Sequence, residues 1–270
     1  KVFSYKETAG LAGYVEEGTL NSHGIAILNR TLTQIKKITD DLSIPKVWYF
    51  ATASLRNISN TDKVISDIYK NLGINIDLIS NEDEGYLSYY AMKMLLNGKL
   101  NSENGIIADI GGGSSEIVIF KNNKIVENTS LPIGSLNLYS NYVKGILPLK
   151  KEIKAIKAEI NRQLSVIKNK DAFTDLIGVG GTFRLIPDLV GNQNKEFSIE
   201  QLDNLIDCSK TDRNDLANLI LKVKPERIHT AIPGMLIARA IMKKWKISDV
   251  LTDRISVRDG YLLRKINGGK

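Results

Sequence analysis

The chain has 270 residues, 43% hydrophobic and 25% charged, which is enough apolar material for two ordinary globular cores. No apolar run reaches the length of a membrane span and the first residues show no secretory pattern, so neither an integral membrane protein nor a signal-directed one is expected. The net charge of +7 favours anionic partners, but the lysines are scattered, as in "KKEIKAIKAEI" and "MKKWK". No aromatic residues are interleaved with them as a stacking groove for nucleic acid requires, so they read as solvated helix faces with no nucleic-acid partner. The single Cys208 has no internal disulfide partner and reads as a small buried filler, which makes a reducing cytoplasm the expected compartment.

In the front of the chain, Ile25, Leu28, Leu32, Ile35 and Ile38 recur at three- and four-residue spacing, predicting an amphipathic helix. "KVWYFATASL" follows as a buried strand running into a turn of small residues. "TDKVISDIYKNLG" predicts a short helix capped by Thr61 or Asp62 and closed by Gly73. "INIDLIS" reads as a strand and "NEDEGYLSYYAMKMLL" as a helix, an alternation that argues for an α/β layer. The pattern changes at Gly105. "GIIADI", "SSEIVIFK" and "KIVENTSLPI" predict three successive strands, the last two joined by a tight turn at "KNNK". A helix follows at "KKEIKAIKAEINRQLSVIK", then a strand at "TDLIGV" that enters "GVGGT". Pro187 is expected to kink or end the next helix. The remainder reads as largely helical, with a strand at "DVLTD" and a closing helix at "VRDGYLLRKI". The domain boundary is expected within residues 97–105, dividing the chain into 1–104 and 105–270, with no long linker between halves that hinge as rigid bodies.

Two glycine-rich turns carry the chemistry. "DIGGGSSE" and "GVGGT" each follow an apolar strand and present adjacent backbone N–H groups unobstructed by side chains, a nest for phosphate oxygens. Ser114, Ser115 and Thr182 add hydroxyl donors beside Gly111, Gly112 and Gly113 and beside Gly180 and Gly181. Neither turn fits the Walker or dinucleotide pattern. A structural use of the same glycines is simply to make tight turns.

Asp109, at a strand end beside the first turn, suits a carboxylate holding hydrated magnesium against phosphate oxygens, with Glu116 joining directly or through water. A turn-capping aspartate and a solvent-facing strand glutamate are the alternatives. Two histidines and one cysteine are too few soft ligands for zinc. Arg56, leaving a strand through small residues, suits a guanidinium forked onto an oxyanion or an ordinary surface arginine. Glu82, Asp83 and Glu84 open a helix, where the dipole alone favours them, while crowding near phosphate suits one of them to accept a proton.

Together "KETAGLAGYVEEGTLNSHGIA", "ATASLR", "ISNEDEGYL", "DIGGGSSEIVIF", "LPIGSLNLYSNY", "GVGGT", "IPGMLIARAIM" and "DRISVRDGYLL" resemble, in order and over nearly the whole chain, the exopolyphosphatase and guanosine pentaphosphate phosphohydrolase family. The resemblance implies a two-domain actin-like, ribonuclease H-like α/β fold with mixed sheets flanked by helices and an interdomain cleft. It implies Glu84 as the catalytic acid that orients or deprotonates water, and Asp109 and Glu116 as metal and phosphate-site acids. Gly111, Gly112, Gly113 and Ser114 match one phosphate loop, Gly180, Gly181 and Thr182 the other, and Arg56 the contact to the phosphate chain. The implied reaction is magnesium-assisted hydrolysis of a terminal phosphoanhydride in inorganic polyphosphate or guanosine pentaphosphate.

The sequence departs from the family pattern at Asn81, usually glycine, at Gly85, usually alanine, at Tyr86, usually arginine, and at Gly10, usually arginine. Members also open their first half with a strand and a phosphate loop. "KVFSYKETAG" starts beyond that point, so the first strands and first loop are expected to be missing here. The competing readings are a catalytically weak alarmone or nucleotide sensor and an ATP-driven kinase or chaperone relative. Exposed aromatics in "GYLSYYAM" permit a homodimer.

Overall fold

The computed structural model describes residues 5, 7, 9–95, 103–253 and 255–268. Two compact units divide the chain, Lys1–Glu84 and Gly85–Lys270. In the first unit a 3-10 turn (Leu11–Tyr14) precedes a small antiparallel hairpin, β1 (Val15–Glu16) and β2 (Thr19–Leu20), turned through Glu17 and Gly18 at φ 47° and 77°. Helix α1 (Ser22–Asp41) follows, its first turn capped by the Asn21 side chain, which accepts from Gly24 N. Strands β3 (Tyr49–Ala51) and β4 (Ile76–Leu78) pair in parallel, and the chain between them folds as the one-turn α2 (Ala53–Arg56) and α3 (Thr61–Leu72). The core of this unit joins Leu20, Leu28, Leu55, Val64, Ile68 and Ile74.

Helix α3 closes at Gly73, in the left-handed conformation expected there, but its N-cap position is Asn60 rather than Thr61 or Asp62. The Thr61 hydroxyl is drawn inward instead, donating to the carbonyls of Leu55 and Ile58.

Helix α4 (Asn81–Leu95) spans the division between the units. The boundary expected at residues 97–105 falls mostly on 97–102, outside the described residues. Within the second unit, Tyr89, Ala91 and Met92 of α4 pack with Ile107, Val118, Phe120 and Ile177.

In the second unit, β5 (Gly105–Ile110), β6 (Ser115–Lys121) and β7 (Lys124–Leu131) form an antiparallel meander. Asn122 and Asn123, at φ 50° and 59°, make the tight turn that "KNNK" predicts. Helices α5 (Ser135–Tyr142) and α6 (Lys150–Leu164) lead to β8 (Leu176–Val179), which pairs in parallel with β5. Helix α7 (Gly180–Val190), the edge strand β9 (Glu196–Ser198), α8 (Ile199–Thr211), α9 (Arg213–Val223), α10 (Ala231–Lys244), β10 (Asp249–Thr252) and α11 (Val257–Ile266) complete it. The order β7-β6-β5-β8-β10, with β6 antiparallel and β8 and β10 parallel to β5, is that of a ribonuclease H-like sheet, and β9 adds a sixth, antiparallel edge.

One sheet face carries Ile106, Ala108 and Ile110, the other Ile107, because alternate strand residues point to opposite sides. The first face is covered by α6, whose Ile153, Ile156, Ile160 and Leu164 form a buried stripe, and by α10, which is buried nearly all round.

Three local expectations are corrected. Helix α7 continues through Pro187 to Val190 and stops at Gly191, φ 71°. Proline at the eighth helical position removes one internal hydrogen bond, and the burial of Phe183, Leu185, Ile186 and Leu189 outweighs that loss. Helix α5, hidden in the "LPIGSLNLYSNY" motif, was not anticipated. Cys208 is exposed rather than buried, because the inward stripe of α8 is Leu202, Leu205, Ile206 and Ser209. Among the described residues no helix is long and apolar enough to cross a membrane.

Candidate active site

The first unit holds an ion pair. Strand β4 delivers the chain to Ser80, the cap of α4: Ser80 Oγ accepts from Asp83 N at 3.0 Å and lies 3.1 Å from Asp83 Oδ2. Asp83 therefore belongs to the helix cap. Glu84, one residue on, turns inward and is 9% exposed. Its Oε2 accepts from Arg56 Nη1 at 3.0 Å. Arg56 Nη1 also donates to the Ile79 carbonyl at 2.6 Å, and Nη2 donates to Asn81 Oδ1. Arg56 Nε is buried without a hydrogen-bond partner. The guanidinium expected on a phosphate chain is thus seated on the candidate catalytic carboxylate, held there also by Asn81, one of the positions where the sequence departs from the pattern of the family it resembles.

The second unit holds the glycine turns. At the end of β5 the chain passes through Gly111, Gly112 and Gly113, and Gly111 N bonds Ser114 O at 2.9 Å. The N-terminus of α5 holds the turn from behind. Ser135 N reaches Gly111 O at 2.9 Å, Leu136 N reaches Gly112 O at 2.9 Å, and Asn137 Nδ2 reaches Gly113 O at 2.7 Å. With the carbonyls so engaged, the N–H groups of Gly112, Gly113 and Ser114 have no protein acceptor among the described residues, and Gly112 and Gly113 are exposed. The glycine run thus leaves three successive amides without protein acceptors, the condition an anion site requires. Gly134 makes the approach possible, since a Cβ there would overlap the Gly112 carbonyl.

The second turn is the first turn of α7. Gly180, Gly181 and Thr182 occupy its first three positions, whose N–H groups have no partner within the helix. Gly180 adopts φ 92°, and a Cβ on it would collide with Asp109 Oδ1. Asp109 therefore stands between the two turns, just preceding one in the chain and touching the start of the other.

Glu116 lies directly opposite Asp109 across β5 and β6, with Ser130 of β7 in line beyond it. Its Oε1 accepts from Ser114 Oγ at 2.6 Å and from Ser130 Oγ at 3.2 Å. Two carboxylates facing each other across a ladder repel, an arrangement that a divalent cation relieves. Magnesium takes one or two carboxylates and completes its shell with water and phosphate oxygens, so this pair fits it. Among the described residues no larger cluster of His, Cys, Asp and Glu suited to a metal is present.

Two expected hydroxyl donors are used otherwise. Ser115 is fully buried and donates to Ile133 O at 2.7 Å, which ties β6 to the chain after β7 and withdraws that hydroxyl from the phosphate set. Thr182 is 3% exposed, with its side chain against Gly234 of α10. It offers its backbone N–H at the helix start. One residue was not anticipated at all. The Arg227 guanidinium lies over Gly181, where any Cβ would overlap it, and pairs with no carboxylate among the described residues. Nothing in "KPERIHT" signals this, since only the folded chain brings that turn to α7.

Residues 2–268 match the Ppx/GppA phosphatase family. The chain belongs to this family. The chain is similar to exopolyphosphatase 1 of Mycobacterium tuberculosis, 25% identical over 281 residues that cover 98% of this chain and 80% of the relative. Exopolyphosphatase 1 of Mycobacterium leprae is 24% identical over 263 residues, covering 93% and 77%. Among solved structures, the Aquifex aeolicus Ppx/GppA family member has a TM-score of 0.76 at 23% identity, covering 96% of this chain and 87% of its own. An exopolyphosphatase from Cytophaga hutchinsonii has a TM-score of 0.80 at 18% identity, covering 97% and 88%. The Ppx/GppA fold is therefore shared at high coverage, and it is the two-domain actin-like α/β fold that the sequence motifs imply.

Proposed function

We propose that this Ppx/GppA phosphatase hydrolyses the terminal phosphoanhydride of inorganic polyphosphate, with guanosine pentaphosphate as a further substrate of the same kind. The observation that carries the proposal is the pair of glycine turns converging on Asp109, each with backbone N–H groups available to phosphate oxygens. The curated relatives named exopolyphosphatase support polyphosphate as the substrate.

In the proposed reaction Glu84 accepts a proton from water as its oxygen attacks the terminal phosphorus. The bond from that phosphorus to the bridging oxygen breaks, releasing orthophosphate and a shorter chain. The amides of Gly112, Gly113 and Ser114 and those at the start of α7 stabilise charge on the transferred group, so catalysis is mainly positioning and electrostatics. Asp109 and Glu116 would hold magnesium, which when bound neutralises charge on the phosphate oxygens. Arg56 would exchange its bonds to Glu84 for a phosphate oxygen, freeing the carboxylate for its proton.

The Arg56–Glu84 pair also favours a second reading, a phosphate-chain or alarmone binder of low turnover, in which the acid stays paired. Orthophosphate release from polyphosphate, from guanosine pentaphosphate and from ATP as control separates the two. Turnover on the first two but not on ATP is expected of the hydrolase. Tight binding of either without release would establish the binder.

A further inference from the structure

Away from the glycine turns, the C-terminal halves of α6 and α10 enclose a groove of about 610 Å³. Lys157, Lys168, Lys170, Arg239, Lys243 and Lys244 line it, no acidic side chain does, and Ile160 and Leu236 form part of its floor. Asp203 stands behind, bonded to Arg239 and 4.0 Å from Lys243, and offsets only part of the charge.

Lysines at a helix C-terminus complement the helix dipole, and Lys243 and Lys244 in the last turn of α10 do so. Lys244 Nζ also donates to Ile167 O at 3.0 Å. That explanation does not reach Lys157, which sits in the middle of α6, or Lys170, beyond its end. Neither donates to a protein acceptor among the described residues. The ammonium groups repel one another. Burial, then Lys210 and Arg239, hold the Lys157 pKa below the ordinary lysine value, against Asp207 and Asp203. Burial, then Lys170, lower that of Lys244. A built concavity short of counter-charge is a site for an anion.

We propose that this groove is a second substrate site, which holds a distal stretch of a long polyphosphate chain. The assignment rests on the proposed polyphosphatase activity. Six cations spread around a groove suit a string of phosphates better than one compact anion. No aromatic side chain lines the groove, so nucleic-acid bases would find no stacking surface. Helix α10, buried over most of its length, sets the separation of the two sites and not the path between them. Gly234 touches Thr182 of the second glycine turn, and from there to Lys243 the helix rises roughly 14 Å. A chain of a few phosphates bound at the turns does not span that distance, whereas a long one does.

The test is the full chain carrying Lys157→Gln, Lys168→Gln and Lys170→Gln together, with its Tm checked against the parent. KM for long-chain polyphosphate should rise about tenfold at unchanged kcat, while tripolyphosphate kinetics stay at the parent value. Equal effects on the two substrates, or none on either, overturn the proposal. A second arm uses labelled long-chain polyphosphate bound to Glu84→Gln with and without the three changes, which needs no turnover. If the parent hydrolyses nothing but the three changes weaken this binding, the groove stands and the proposed activity falls. If the parent is active and binding is unaltered, the activity stands and the groove falls. A single-stranded oligonucleotide that displaces polyphosphate at equal charge, and is itself lost with the three lysines, assigns the groove to nucleic acid and overturns the proposal.

Discussion

Asp83 and Glu84 are neighbours of like charge at the start of one helix, yet their surroundings give them different work. The first closes a cap with Ser80, and the second is buried against Arg56. Glu84→Gln is expected to lower polyphosphate turnover by roughly 10²–10⁴-fold while the far-UV circular dichroism and Tm stay near the parent. Asp83→Asn should cost about 0.5–1 kcal/mol of stability and leave turnover within a few-fold. If the two variants behave the other way round, the proton acceptor is Asp83. Asn81 bears on the same acid from one step further away, because its side chain helps to keep Arg56 on Glu84. Asn81→Gly removes that tie, so KM for polyphosphate should fall severalfold with little change in kcat. An unchanged KM would mean that the other two Arg56 bonds dominate.

At the scale of elements, the glycine turns divide into positions set by sterics and positions set by access. Gly180 combines φ 92° with a Cβ site overlapping Asp109 Oδ1. Gly180→Ala should therefore destabilise the protein by about 1–3 kcal/mol in urea unfolding and displace Asp109 as well. Gly113 has an ordinary φ and no heavy atom within 4 Å of its Cβ site. Gly113→Ala should fold with parental stability and still lose affinity for polyphosphate, because the methyl group stands in front of bare amides. Wild-type kinetics in this variant would remove the first turn from the phosphate site. Asp109→Asn is expected to raise the magnesium concentration needed for half-maximal activity, and Glu116→Gln less so, since Ser114 and Ser130 also engage Glu116.

For the whole molecule, the basic groove carries a pH dependence of definite sign. The Lys157 pKa is lower in the folded chain than its ordinary 10.5, chiefly through burial. Between the folded and unfolded values the unfolded chain binds more protons, so this lysine's unfavourable contribution is present at neutral pH and fades as pH rises toward 10.5. Lys157→Met should accordingly raise Tm at pH 7, and the gain should shrink as pH climbs through the lysine range. A gain independent of pH would place its origin in packing instead of charge. The test is confined to the second unit, whose core of sheet and helices is continuous from Ile106 to Val250.

Regular patterns and obligatory backbone geometry were legible in the sequence by itself. The period of Ile25 to Ile38 requires a helix, the run of β-branched residues in "SSEIVIF" a strand, and paired asparagines between strands a tight turn, because each rests on interactions among near neighbours. The candidate acids and glycines were legible for the same reason, since an acid beside a glycine run is a local arrangement. What only the tertiary structure decided depends on contacts between distant segments. Such contacts seat Arg56 on Glu84, bury the Ser115 hydroxyl under Ile133 and bring Arg227 over Gly181. They also expose Cys208 and carry α7 through Pro187, where burial outweighs the local rule. The lysines of "KKEIKAIKAEI" and "MKKWK" make the point most directly. They are scattered along the chain and gathered in the fold, because α6 and α10 pack side by side, and charge density is a property of space rather than of sequence.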